Sequence, residues 1–241
     1  MSNDVVLVTG GSSGIGAAIC DQLADKGYQV INLSRRGAQN DKVISVEVDL
    51  TDLKATREAV QSLTQRYAIT NFVHNAGVIL QKPLEEVEPS DLDTVANLHL
   101  GAAITITQEL LPAMKSAHFG RIVLMSTRAI VGLAKRTVYS ASKAGMIGMG
   151  RTWALELAPH GITVNMVAPG PIADTEMFHD LVPKESEQMQ RVGQSVPVGR
   201  VGRPSDVANA TLFFLEPNAG FVTGQTLFVC GGTSVGSITF Q

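Results

Sequence analysis

Tyr139 and Lys143 stand four residues apart in Tyr139-Ser-Ala-Ser-Lys143. On a helix that spacing puts both side chains on one face, one turn apart. An unperturbed phenol titrates near ~10, too high for efficient acid/base work at neutral pH, and a neighbouring ammonium favours its ionised form. The pair is a candidate proton-transfer couple, with Tyr139 exchanging the proton and Lys143 lowering its pKa. Taken alone, the same spacing is common on exposed helix faces, where it does nothing, so the surrounding motifs must carry the argument.

A second group of residues suits phosphate. The first apolar run ends in Thr9-Gly-Gly-Ser-Ser-Gly-Ile-Gly16, and a helical pattern follows at once. Gly10, Gly14 and Gly16 permit a tight turn, close approach of backbone to a pyrophosphate and close packing of helix on strand, while the helix N-terminus favours the anion. Gly10, Ser12, Ser13, Gly14, Ile15 and Gly16 are the candidate contacts, and a purely structural turn is the alternative. In dinucleotide folds a carboxylate after the second strand holds the ribose 2′-hydroxyl and would repel a 2′-phosphate. Here that run leads into Ser34, Arg35 and Arg36. Two guanidinium groups and a hydroxyl make a cradle for phosphate oxygens, so NADP(H) is the expected cofactor. The alternative, two solvated loop charges, still leaves no acid for NAD.

The spacing GxxxGxG departs from the dinucleotide fingerprint GxGxxG and resembles the short-chain dehydrogenase/reductase family. The resemblance continues in order through Asp49-Leu50, His74-Asn75-Ala76-Gly77, Asn97, Ser126, Tyr139 to Lys143, and Pro169-Gly170, covering nearly the whole chain. It implies a catalytic tetrad of Asn97, Ser126, Tyr139 and Lys143. Ser126 would bond the substrate oxygen, and Asn97 would bend its helix and help hold a water that links the lysine to solvent. Lys143 would also hold the nicotinamide ribose. Asp49 would accept from the adenine amino group, Leu50 would pack near the ring, and Asn75, Ala76 and Gly77 would line the ribose side. Pro169, Gly170 and Ile172 would pass the nicotinamide carboxamide, with Thr175 capping it one residue beyond the commonest spacing. His74 replaces the family's first asparagine and reads as a local hydrogen-bonding substitution.

The activity implied is NADP(H)-dependent interconversion of a ketone or aldehyde with an alcohol, by hydride transfer and without a metal. The tail, 199–204 through 224–232, is similar to the 3-oxoacyl-acyl-carrier-protein reductase branch, which implies a homotetramer built through the two long helices and this region. Reduction of a 3-oxoacyl carrier or acyl-CoA thioester is therefore the alternative activity. Against it, the basic residues that meet the acidic carrier match Ala117 and His160 here, leaving Lys115 and Arg121 as nearby cations. A catalytically silent NADP-binding regulator or partner subunit is the non-enzyme alternative, although such proteins lose the tyrosine or lysine and both are present. Arg128 and Arg136 bracket Ser126 and Tyr139 and are candidate contacts for an anionic substrate. Pairing with Glu176, Glu185 or Glu187, or with a neighbouring subunit, is the competing reading.

The elements that must position these groups follow from hydrophobic period. Short β-branched runs at 5–9, 30–33, 43–48, 72–73, 122–125, 163–167 and 226–229 read as strands, and 15–26, 53–67, 90–115, 138–158 and 205–215 as helices. Sustained alternation predicts one α/β domain over 1–241, a Rossmann-type doubly wound parallel sheet with helices on both faces. The stretch 169–202 breaks the rhythm after a strand's carboxyl end and reads as a substrate lid. With 17% charged residues and a net charge of -3, the chain has no basic excess for nucleic acid. Met1 to Asp4 lack a basic leader, and the run at 5–9 is too short for a signal core or membrane span. Cys20 and Cys230 form no CxxC pair, so neither a disulfide framework nor a zinc site is expected, and a cytoplasmic setting fits.

Overall fold

The apolar runs form a sheet buried on both faces. In the computed structural model, which describes residues 4–180, 182–184 and 186–235, every residue of β1 (Val5–Thr9), β5 (Gly120–Met125) and β6 (Ile162–Pro169) is buried. The remaining strands are β2 (Gln29–Ser34), β3 (Ile44–Glu47), β4 (Ile69–His74) and β7 (Thr226–Val229). They hydrogen-bond in the order β3-β2-β1-β4-β5-β6-β7, all parallel. Alternate residues of β1 serve opposite cores. Leu7 packs in the cluster with Leu110 and Met146, whereas Val6 and Val8 pack with Ile19 and Leu212. The single-domain, doubly wound α/β architecture expected from the sequence is the one observed.

Five long helical stretches cover the two faces: α1 (Gly14–Asp25) and α8 (Pro204–Leu215) pack together on one, while α2 (Leu53–Thr64), α4 (Ala102–Ala117) and α5 (Thr137–Leu157) cover the other. The chain reaches β3, then crosses back past β1 to form β4, so the winding reverses between β1 and β4. A crevice opens at the carboxyl ends of strands at such a switch point.

Two regions differ most from the sequence expectation. The helix read as continuous over 90–115 is α3 (Pro89–Ala96), a π-helical turn (Asn97–Gly101) and α4, with the Ala102 amide donating to the Asn97 carbonyl five residues back. The excursion after β6 contains α6 (Glu176–His179) and α7 (Glu187–Ser195), whose first turns are capped by the hydroxyls of Thr175 and Ser186. Ile172 and Gly202 pair in an isolated parallel bridge that closes the base of this excursion.

Candidate active site

The crevice is a cleft of about 1120 Å³, above the roughly 300–1,000 Å³ of a single small-ligand site. It runs from the β1–α1 loop and the end of β2 to Ser126, Tyr139 and Lys143, roofed by residues of the excursion such as Met177, Phe178 and Val196. Of the candidate catalytic, nucleotide and substrate contacts named from the sequence, all but Gly16 and Asn97 line it.

Gly16 is buried behind the loop. A Cβ there would lie 2.0 Å from the Gly10 carbonyl oxygen and 2.6 Å from Asn75 Nδ2, so only glycine lets α1 pack this close. Gly10 and Gly14 have φ of +68° and +54°, which disfavour any other side chain. Thr9 organises the other wall. Its Oγ1 accepts the amides of Asn75 and Ala76 at 3.0 Å each and donates to His74 Nδ1 at 3.1 Å. His74 Nε2 then donates to the Leu98 carbonyl in the π turn at 3.2 Å. The local hydrogen-bonding reading of His74 holds, and its reach is long: it ties β1 and β4 to the distorted helix. Burial, helped by the positive Lys143, pulls its pKa down to about 3.

At the end of β2, Ser34 Oγ donates to the Arg36 carbonyl at 2.7 Å, and Arg36 Nη2 contacts both carboxylate oxygens of Glu176 on α6 at 3.0 Å. Arg35 is exposed and makes no side-chain hydrogen bond among the described residues. The three-member cradle expected from sequence thus reduces to one guanidinium with open donors, plus a second engaged by the excursion. No carboxylate occupies the position after β2. Asp49 accepts from the Thr51 amide and hydroxyl, which lowers its pKa. Leu50 is buried beneath the cleft.

Tyr139 and Lys143 project from α5 and are 7% and 3% exposed. Burial pulls the Lys143 ammonium down to about 7, and its Nζ donates to the Met125 carbonyl at 2.6 Å. The phenol of Tyr139 is raised by burial, opposed by its hydrogen bond with Thr127 and by the positive Arg136. In the ligand-free protein the influences that oppose this rise come from Thr127 and Arg136, while Lys143 is turned to the Met125 carbonyl. Ser126 Oγ donates to the Lys143 carbonyl at 3.1 Å, joining β5 to α5.

Asn97 requires a correction. It opens the π turn, as a helix-bending residue should, but its side chain is exposed and lies outside the cleft. The inward position belongs to His99, fully buried. Its Nε2 accepts the Val78 amide at 3.1 Å, so Nδ1 carries the proton and donates to Ser142 Oγ at 2.9 Å. Ser142 donates in turn to the Tyr139 carbonyl at 3.0 Å. The His99 ring meets the Tyr139 ring edge-on at 5.8 Å, and burial drives its pKa far down. The sequence points to Asn97 instead because the resemblance calls for an asparagine in this helix, and position 99 holds a histidine.

Near the carrier-binding positions, Ala117 and Lys115 are exposed. Arg121, expected to be free to substitute for a missing cation, is 4% exposed. It donates to the carbonyls of Gly120, Gly161, Glu216 and Pro217 and stacks on Phe119, so it is a structural residue. Cys20 is buried with its thiol pushed up to about 12. No group of three or more His, Cys, Asp or Glu among the described residues could hold a metal, and no described helix is long and apolar enough to cross a membrane.

The comparisons agree with this geometry. A family model described as enoyl-(acyl carrier protein) reductase matches residues 10–234. The chain is 36% identical to a 3-oxoacyl-[acyl-carrier-protein] reductase of Thermotoga maritima, covering 96% of this chain and 98% of that one. It is 35% identical to a (2S)-[(R)-hydroxy(phenyl)methyl]succinyl-CoA dehydrogenase subunit of Thauera aromatica, covering 98% of each. Among solved structures, a gluconate 5-dehydrogenase candidate of Beutenbergia cavernae with bound NADP superposes with a TM-score of 0.90 at 29% identity over 98% of each chain. The chain belongs to the short-chain dehydrogenase/reductase family, in its 3-oxoacyl-carrier-reductase-like branch, and is a nicotinamide-dependent oxidoreductase.

Proposed function

We propose that this protein is an NADP(H)-dependent oxidoreductase interconverting a ketone or aldehyde with an alcohol, Tyr139 serving as acid/base. The observation that carries the reading is one continuous cleft with Tyr139, Lys143 and Ser126 at one end and Arg35, unopposed by any acid after β2, at the other. The glycine cradle fits a dinucleotide: Gly10, Ser12, Ser13, Gly14 and Ile15 would hold its pyrophosphate, while Asp49, Leu50, Asn75, Ala76 and Gly77 would hold the adenosine side. Arg35, joined by Arg36 and Ser34, would meet the 2′-phosphate. Lys143, Pro169, Gly170, Ile172 and Thr175 would hold the nicotinamide half, and Gly16 acts only by packing.

The bound dinucleotide supplies the hydride and a positive ring when oxidised. The chain does the rest. Ser126 turns its hydroxyl from the Lys143 carbonyl to the substrate oxygen, orienting it toward Tyr139. In the reductive direction Tyr139 donates its phenolic proton to the developing alkoxide. Lys143 exchanges its bond to Met125 for the ribose hydroxyls and then favours the phenolate. His99, not Asn97, completes the group as a positioning residue: through Ser142 it fixes the turn of α5 that carries Tyr139. The 169–202 segment acts as a lid.

Resemblance favours a cytoplasmic homotetramer. Leu155 on α5 is 81% exposed and Phe221, just before β7, fully exposed, as contact faces would be. Reduction of a carrier-bound 3-oxoacyl group is favoured less, because Arg121 is buried and only Lys115 remains. The test is turnover of a ketone and 3-oxoacyl panel. NADPH should exceed NADH by at least about tenfold in kcat/KM, equivalent to about 1.4 kcal/mol of differential binding. Equal use of both would refute the cofactor assignment, and no turnover of any carbonyl the activity itself.

A further inference from the structure

Arg136 is a buried cation with no carboxylate partner among the described residues. It is 6% exposed, and its only hydrogen bond among the described residues runs from Nη1 to the neighbouring Lys135 carbonyl at 3.1 Å. Two of the carboxylates that could have paired with it are engaged elsewhere: Glu176 with Arg36 and Glu187 with Arg191. Glu185 lies outside the described residues. Arg136 lines the cleft together with Tyr139, and it is not among the described side chains whose nitrogens are sealed from solvent and unpartnered. Burial lowers its pKa while Tyr139 raises it, which places it within electrostatic range of the acid/base. Arg128 lines the same cleft half-buried, donating from Nε to the Thr233 carbonyl at 3.3 Å, and its two amino groups have no hydrogen-bond partner among the described residues.

A buried guanidinium left unpaired is costly, and the fold bears that cost beside the reacting groups. We propose that Arg136, assisted by Arg128, binds a carboxylate of the substrate, so that the protein acts on oxo acids and the matching hydroxy acids. This rests on the carbonyl and alcohol reading above. The same donors would suit the phosphates of a thioester carrier. Those phosphates, however, sit a full pantetheine arm from the reacting carbonyl, whereas Arg136 is three residues from Tyr139 and buried next to it. A compact carboxylate a few bonds from the carbonyl carbon fits that position. The rest of the wall, Leu133, Val182, Val192 and Val196, suits an apolar chain between or beyond the two groups.

The test compares straight-chain 2-oxo to 5-oxo acids with their methyl esters, with the preferred nucleotide. At least one acid should exceed its ester by tenfold or more in kcat/KM. Arg136→Met should bring that ratio to within about twofold of one, and Arg136→Lys should retain part of it. Acids no better than esters, or a preference that survives in Arg136→Met, would overturn the proposal while ester turnover upheld the carbonyl reading. A preference seen only for CoA thioesters over N-acetylcysteamine thioesters of the same acyl group would also overturn it, assigning the arginines to a carrier. Two readouts need no turnover. Without ligand, Arg136→Met should melt at or above the wild-type temperature, and a clear loss would make the arginine structural. Millimolar 4-oxopentanoate should raise the melting temperature of the wild type, but not of Arg136→Met; no such difference would count against the site.

Discussion

The two ends of the cleft carry their charges in opposite ways. At the Arg35 end the charged groups are exposed, and all but Arg35 itself are met by one another or by nearby hydroxyls: Arg36 by Glu176, Asp49 by Thr51. At the Tyr139 end Lys143, His74, His99 and Arg136 are all buried, and their partners are backbone carbonyls, amides and hydroxyls rather than carboxylates. Exposed ion pairs contribute little to stability, whereas a buried charge without a counter-ion costs several kcal/mol. The Tyr139 end thus bears the cost of burying Lys143 and Arg136, held in place by the surrounding sheet and helices, while its two histidines are buried neutral. Substitutions there should destroy activity and often raise stability. Substitutions at the Arg35 end should alter ligand choice and leave stability nearly unchanged.

The sharpest way to break that contrast is at Tyr139 and Lys143. Tyr139→Phe should lower kcat by about 10²–10⁴, the scale of a lost acid/base, with nucleotide affinity nearly intact. Retention of more than a few per cent of kcat would sink the assignment. Lys143→Met should lose activity and nucleotide affinity together, yet melt higher than the wild type without ligand. The folded lysine releases its proton near 7, the unfolded one near ~10.4. Between those values the unfolded chain binds more protons, so the wild type gains stability as pH rises. The advantage of Lys143→Met should therefore be greatest at pH 7 and below, and fade toward pH 10. An advantage that is constant or grows with pH would contradict it.

How far the sequence revealed this arrangement depends on the range of the cause. The glycine loop, the Tyr139–Lys143 pair and the strand–helix alternation are local, each set by spacing within a few residues, and all were legible. β4 was read as 72–73 but spans Ile69–His74, because polar Thr70 and Asn71 interrupt the apolar run although the sheet on both sides buries the backbone. Asn97 follows from residue type, the resemblance calling for an asparagine in this helix, whereas the buried position two residues on holds a histidine, His99. The helices α6 and α7 were hidden by length and polarity, though Thr175-Glu176 and Ser186-Glu187 are the cap signals that could have marked them. The Arg36–Glu176 pair joins residues 140 apart, and no spacing rule reaches that far.

The buried histidines give a smaller effect, in acid. Folded His74 titrates near 3 and His99 lower than usual, while the unfolded chain takes up those protons near ~6.5. Stability is therefore fully present above about pH 6.5 and falls as pH drops toward 3, by about 1.4 kcal/mol per pH unit for each histidine. His99→Asn should flatten the pH dependence of the urea midpoint between pH 6 and 4 by one proton's share. It should also lower kcat more than KM changes, since Tyr139's turn of α5 loses its Ser142 tether. An acid slope identical to the wild type would show that His99 is not buried neutral.

The smallest effect belongs to the Arg35 end and tests whether its ion pair matters to the ligand. Arg36 holds Glu176 of α6 in a two-pronged contact, with both side chains more than half exposed. A pair this exposed stabilises little, so Glu176→Ala should leave the melting temperature unchanged. Its carboxylate nevertheless competes with a 2′-phosphate for the same guanidinium. Removing it should release Arg36 and tighten NADPH on the order of two- to fivefold, the range of an exposed pair, without altering NADH. Added salt should shrink the difference, because screening weakens exposed charges first. Arg35→Ala, whose guanidinium is hydrogen-bonded to no carboxylate among the described residues, should weaken NADPH by more than Glu176→Ala strengthens it. Dissociation constants for both nucleotides, measured by fluorescence at two ionic strengths, decide the matter. If Glu176→Ala leaves NADPH affinity unchanged while Arg35→Ala abolishes the preference, Arg36 belongs to the lid alone and the 2′-phosphate is read by a single arginine.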